Sequence, residues 1–285
     1  MRRVAAAFAQ TFRYWMQTEV HVYAFSVAAN VLLSFYPFLI VIMSLSRLFF
    51  NEQTTIATIQ LALRDYFPES FTNFLYTKGQ HENLPPQRSA ELISIVLLLF
   101  TANGIFEPLE VALNRVWGIT KNRSFFRNQL VSLALILACG TLAIASMALT
   151  AMNRPWAKNV LGMDTLFFKM AALPMAMMVL FLIYFFLPNG RPPLSRVIVS
   201  AVVVGILLEG MKYVNKLWWP WFQRKLEGEY RIFQYSVALI FLGFIASMVV
   251  LAGAEWAARG QSIVEPDKPD KPDKPDQPEE ELVHA

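Results

Sequence analysis

The chain has 285 residues, of which 55% are hydrophobic and only 16% charged, with a formal net charge of +4. Soluble domains carry about 25% charged residues; here charge is scarce and clustered between long uncharged runs, which argues against a soluble globular domain and for a polytopic, all-α membrane protein. The basic residues sit at the ends of apolar runs and not on one soluble face, a pattern that suits anionic lipid and not nucleic acid.

Val4, Phe8, Phe12 and Trp15 recur at helical spacing and predict a short amphipathic helix over about 4–18, lying on the cytoplasmic leaflet. The run Val22 to Ser46 is uncharged, is too long for a signal-peptide core and lacks a following small-residue cleavage pattern, so it reads as a retained span. Pro37 lies inside it, and Asn30 and Ser34, four apart, are small polar residues able to bridge helices. In the loop from Asn51 to Ser89, Ile56, Ile59 and Leu63 form a second interfacial stripe, ended by Pro68.

The second apolar run, Leu92 to Ile105, reaches full length only if its helix starts near Pro86. It leads into "FEPLEVALNR", Phe106 to Arg115. There Glu107, Glu110 and Asn114, spaced i, i+3, i+7, share one helical face, while Leu109, Leu113 and Val116 take another. These acids read in two ways. They line a polar path in the membrane, or Glu107 and Pro108 start a new helix with Glu110 in its first turn, facing the positive end of the dipole. Proline and acid fit the rules for a helix start, so the second reading is preferred.

The third and fourth runs are Leu130 to Met152 and Met170 to Leu187, the latter containing Pro174. The fifth, Val197 to Leu208, is too short unless Glu209 enters the membrane or the helix begins nearer Pro193. Glu209 and Lys212 are three apart and can pair on one helix, either as a buried gate or as an interfacial pair. "WWPWF", Trp218 to Phe222, places three indoles at an expected membrane surface. The sixth run is Ile232 to Ala254; Glu255 closes it with Arg259 as a partner four residues on, and Gly253 and Ala254 permit close helix contact. The membrane domain therefore covers 1–260, and the Pro-Asp-Lys repeats of 261–285 form a disordered cytoplasmic tail.

Six spans place both termini on one side. Arg2, Arg3 and Arg13 before the first span, and Arg115, Lys121, Arg123 and Arg127 after the second, favour a cytoplasmic N-terminus. Lys216, Arg224, Lys225 and Arg231, in the predicted outer loop before the sixth span, argue the other way.

Common catalytic chemistry finds no support. His21, His81 and His284 are far apart and match no zinc spacing, and no nucleophile elbow or phosphate loop occurs. Cys139 is the single cysteine, so an intrachain disulfide is ruled out. The expectation is no enzyme, no catalytic or metal site and no cofactor.

"VAANVLLSFYPFLIVIMSL" (Val27 to Leu45), "EVALNRVWGITKNRSFFRNQLVSL" (Glu110 to Leu133) and "LAGAEWAA" (Leu251 to Ala258) resemble the YihY/BrkB family of bacterial inner-membrane proteins, over residues 1 to about 260. The resemblance implies six spans, an inner-membrane location and both termini in the cytoplasm. It supplies no catalytic residue; the family's old label, ribonuclease BN, is a misassignment. The matching polar positions are Asn114, Arg115 and Glu255.

The preferred expectation is a permease or exporter of an envelope lipid or small amphiphile. Glu107, Glu110, Asn114, Arg115, Glu209, Lys212 and Glu255 are the candidate polar pathway or gate, and Pro37 and Pro174 the helix kinks. The alternative is a non-transporting scaffold for envelope machinery, with a membrane-bound ribonuclease behind both. The partners expected are membrane lipids, with a homo-oligomer and envelope proteins recruited through the tail left open.

Overall fold

In the computed structural model the described residues are 2–46, 59, 88–120, 123–157, 164–230 and 233–259. The Pro-Asp-Lys tail lies outside them, as does the Ile56 to Leu63 stripe apart from Ile59. The described elements are α1 (Arg2–Trp15), α2 (Thr18–Ser46), α3 (Arg88–Trp117), α4 (Phe125–Ala157), α5 (Asp164–Phe186), α6 (Leu194–Tyr230) and α7 (Gln234–Ala258). There is no strand among the described residues.

Helices α2 to α7 each pack on the next, and α7 returns to α2, closing a ring; α7 also touches α3 across it. The α3–α4 contact is the thinnest in this ring. Among the described residues four helices, α2, α3, α6 and α7, are long and apolar enough to cross a membrane, and α4 and α5 carry shorter apolar stretches, Phe126–Leu142 and Leu173–Phe186. Large apolar side chains such as Leu92, Val96, Phe100, Ile206 and Leu207 point outward. In water that surface would be a liability; against lipid tails it is the solvated face. The protein is an all-α membrane protein.

The core is densest at the end of the bundle that holds α1. Val20, Ala24, Leu109, Leu113, Tyr184, Leu187, Val197 and Leu251 meet there. Small residues ease the approach: a Cβ on Gly104 would stand 2.1 Å from Asn30 Oδ1, so a larger residue there would push the Asn30 side chain aside where α3 crosses α2.

Several sequence expectations are corrected. Helix α3 runs through Glu107 and Pro108 without a break, so these residues do not start a new helix. An internal proline costs about 3 kcal/mol through its lost hydrogen bond and its clash with the carbonyl four residues back. That residue is Gly104, and the close packing of α3 on α2 holds the helix through it. Helix α6 likewise extends through Glu209, Lys212, Trp218 and Pro220 to Tyr230. Lys216, Arg224 and Lys225 are thus on a helix and not in a loop. At about 1.5 Å per residue, its 37 residues span about 55 Å, well beyond a hydrocarbon layer of about 30 Å. Its far part is held by Trp219 and Leu226 packing on Ala238 and Leu239 of α7. Among the described residues the side-chain hydrogen bonds of Asn30 and Ser34 stay within α2 and do not cross to another helix: Asn30 Nδ2 donates to the Ser26 carbonyl (2.9 Å) and Ser34 Oγ to that of Val31 (3.1 Å).

The first amphipathic helix is present as α1, but Trp15 does not lie on a leaflet with Phe12. Phe12 is exposed, whereas Trp15 Nε1 donates to the Met248 carbonyl of α7 at 3.0 Å. Pro37 and Pro174 sit inside α2 and α5, each helix continuing past its proline.

Candidate functional site

Helix α3 ends in a tight turn that builds the site. Gly118 adopts a left-handed φ of 68°, Ile119 N donates to Asn114 O (2.8 Å) and Gly118 N to Arg115 O (3.1 Å). These two bonds form the glycine-terminated helix cap that satisfies the last carbonyls of a helix. The turn sends the chain back across the end of α3, so that Arg123 and the start of α4 come over Glu110.

Helix α5 ends at Phe186, just before Pro188, leaving carbonyls without intrahelical donors. The Arg123 guanidinium fills that need. Nη1 donates to Phe186 O and Leu187 O, both at 3.3 Å, and Nη2 to Phe186 O at 3.2 Å and to Pro188 O. A fixed cation at the negative end of a helix is favourable for the dipole as well. Desolvation draws the Arg123 pKa below its usual range, the Glu110 carboxylate draws it back up, and Arg127 adds to the lowering. Arginine stays charged throughout the working range.

Glu110 is only 6% exposed. Its carboxylate is faced by the side-chain amides of Asn128 on α4, Asn189 in the α5–α6 turn and Asn114 on α3, with the Arg123 guanidinium close by. Asn114 Oδ1 in turn accepts the Asn189 backbone N–H at 2.7 Å, locking the turn onto α3. Despite this surround, Glu110 Oε2 and Asn128 Oδ1 are buried acceptors with no hydrogen-bond partner among the described residues. Buried acceptors without donors are rare and costly. Glu110, Asn114 and Arg115 line a cavity of about 400 Å³ that reaches Gly118 and Thr120 at the end of the bundle.

A second cavity, of about 300 Å³, lies along the thin α3–α4 contact. Leu99 and Asn103 of α3 face Phe126, Leu130, Leu133 and Ile136 of α4 across it. Its walls are largely apolar and its rim is open to the outer surface, where Phe126 is 84% exposed. Asn128, beside Glu110, falls between Phe126 and Gln129, both of which line the groove. The polar cluster and the apolar groove thus share the first turns of α4.

The remaining expected residues lie elsewhere. Glu107 is exposed and does not join Glu110 and Asn114. Arg115, also exposed, forms an ion pair with Glu19 of α2. Glu255 pairs with Arg259 (2.9 Å and 2.7 Å) and accepts from Thr11 of α1 at 3.3 Å; Arg259 also donates to Thr11 Oγ1. This cluster clamps α1 onto the end of α7. Tyr14 lies within it, and burial first, then Glu255 and Tyr23, raise its phenol above the ordinary 10, against a smaller opposite pull from Arg115. Lys212 and Glu209 form an ion pair of 2.7 Å on α6. Glu209 is twelve residues beyond Val197, which packs at the Glu110 end; at 1.5 Å per residue that is about 18 Å away along the helix. The pair lines neither cavity described above.

Asn128 and Asn189 were missed by the sequence reading, and Arg123 entered it only as a topological charge. A basic residue just before one helix and a Leu-Pro at the end of another are a signal of helix capping, but nothing in the sequence says that these two segments meet. Arg196 repeats the device, donating to the Ala257 (3.3 Å) and Arg259 carbonyls at the end of α7.

The family described as Virulence factor BrkB matches residues 11–278. The chain belongs to this family. Among proteins similar to it, a UPF0761 membrane protein of Chlorobium chlorochromatii (strain CaD3) is 26% identical over 259 residues, covering 85% of this chain and 56% of that protein. A UPF0761 membrane protein of Chromohalobacter salexigens is 27% identical over 177 residues, covering 60% of this chain and 43% of that protein. The chain therefore spans about half the length of these relatives. No solved structure matches it.

Proposed function

We propose that this BrkB-family protein moves an amphiphilic lipid between the bilayer and the Glu110 end of the helix bundle, with the α3–α4 groove as its lateral entrance. The observation that carries this reading is the juxtaposition of an apolar groove, open to the outer surface, with a buried polar cluster on the same turns of α4. An amphiphile needs both: a slot that shelters its chain and a polar station for its head. Ligand pockets of about 300–1,000 Å³ are the usual range, and the two cavities, of about 300 Å³ and 400 Å³, each fall within it. The thin α3–α4 contact is the element that can part, because fewer packed side chains hold it than hold the rest of the ring.

The membrane placement that goes with this reading has six crossings, α2 to α7, in a bacterial inner membrane. The Glu110 end faces the cytoplasm. Arg13, Arg115, Arg123, Arg127, Arg191, Arg196 and Arg259 belong to the elements that meet at that end, as the enrichment of basic residues on the cytoplasmic side requires.

Flux of a fluorescent lipid in proteoliposomes tests the proposal. Leu130→Trp and Leu133→Trp, which fill the groove, are expected to slow flux strongly. Leu207→Trp, on the outer face of α6, is expected to leave it unchanged. Equal flux in all three would remove the groove from the pathway, and would favour a scaffold that transports nothing.

A further inference from the structure

We infer that the head group received beside the groove carries a protonated amine, held by Glu110 Oε2 and Asn128 Oδ1. This rests on the lipid-transfer reading above and adds the substrate class to it. The amides of Asn114, Asn128 and Asn189 turn toward the Glu110 carboxylate, and Asn114 Oδ1 is taken by the Asn189 backbone N–H. Glu110 Oε2 and Asn128 Oδ1 are among the buried acceptors left without a hydrogen-bond partner among the described residues. A group that supplies several donors and a positive charge satisfies both at once, and a primary ammonium has three donors and no acceptor.

The charges around the cavity agree. Arg123 is bound to the α5 carbonyls, and Arg115 to Glu19. Among the described residues lining the cavity, Glu110 is the one carboxylate. Arg127 is exposed, one residue before Asn128, where it suits the phosphate of a zwitterionic head whose amine points inward. A purely anionic head offers acceptors to a place that already has them, and a hydroxyl offers fewer donors without charge. Phe126 and Gln129, on the same first turns of α4 as Asn128, line the apolar groove, which places the amine on a lipid rather than on a soluble molecule.

The test is binding to the full chain in detergent, followed by native mass spectrometry. The probes are phosphatidylethanolamine, the same lipid N-acetylated, phosphatidylglycerol and free ethanolamine. The wild type is expected to bind phosphatidylethanolamine about tenfold or more tightly than the N-acetylated form, the scale of one charged hydrogen bond. Glu110→Gln is expected to abolish that preference while still binding lipid. Asn128→Leu, read alongside for monodisperse folded protein, is expected to reduce the preference, so that misfolding of one variant does not decide the matter. Equal binding of the acetylated lipid, or a preference that survives both substitutions, would overturn the inference. Free ethanolamine displacing the lipid at equal concentration would overturn the lipid source. Groove-dependent flux with no amine preference would sink this inference alone, whereas amine-selective binding with flux insensitive to groove filling would sink the transfer reading.

Discussion

Gly253 of α7 lies against Val204 of α6 so closely that a Cβ added to it would stand 2.1 Å from Val204 Cγ2. It would also be 2.9 Å from the Tyr184 hydroxyl and 3.3 Å from Ser200 Oγ. Those two hydroxyls hold α7 from both sides, Tyr184 donating to Val250 O and Ser200 to Gly253 O, each at 2.7 Å. Gly253→Ala is therefore expected to overpack the junction and destabilise the protein by about 1–3 kcal/mol. Gly210→Ala, where a Cβ meets nothing within 4 Å among the described residues, is the matched control and is expected to move stability little, toward the folded state. Thermal unfolding in detergent reads both.

The Glu209–Lys212 pair is set apart from the Glu110 site, with side chains 24% and 15% exposed respectively. Removing one charge leaves the other poorly compensated inside the bundle. Glu209→Gln is expected to cost about 1–3 kcal/mol, less than the loss of a fully buried pair. The double change with Lys212→Met is expected to recover most of it. Lipid flux normalised to folded protein is expected to be unchanged in both. Flux lost in the folded double variant would bring the pair into the pathway.

Tyr14 gives the α1 clamp an alkaline limit. Its phenol, raised above the ordinary 10 chiefly by burial and then by Glu255, keeps its proton to higher pH in the folded protein than in the unfolded chain. Its contribution is then complete below about pH 10 and is lost as the pH rises through the folded value. Raising the pH beyond 10 is expected to loosen α1, seen as faster amide exchange in Arg2–Trp15 and a change in Trp15 fluorescence. Tyr14→Phe is expected to remove that step.

The membrane class was legible from the sequence because lipid imposes length and hydropathy on each crossing helix. The Glu255–Arg259 and Glu209–Lys212 pairs were legible because four- and three-residue spacings on a helix are fixed by its pitch. Pro108 was misread because helix-start rules weigh local preference alone, whereas Gly104 four residues earlier and the packing of α3 on α2 carry the helix through. Glu110 and Asn114 were legible as a shared face, yet Glu107 on the same pattern points outward. Which acid is buried depends on where α4 and the α5–α6 turn come to rest. Asn128 and Asn189, eighteen and seventy-nine positions from Glu110, meet it only through the ring closure. No periodicity within one helix encodes such a meeting.

A lipid that passes between α3 and α4 requires those two helices to part. In a Cys139→Ser background, cysteines replacing Asn103 and Leu133 face each other across the groove and can be joined by a short, reducible bis-thiosulfonate cross-linker. Lipid flux in proteoliposomes is expected to fall to the protein-free level when the bridge forms and to return on reduction. Flux that continues undiminished with the bridge fully formed would contradict the account.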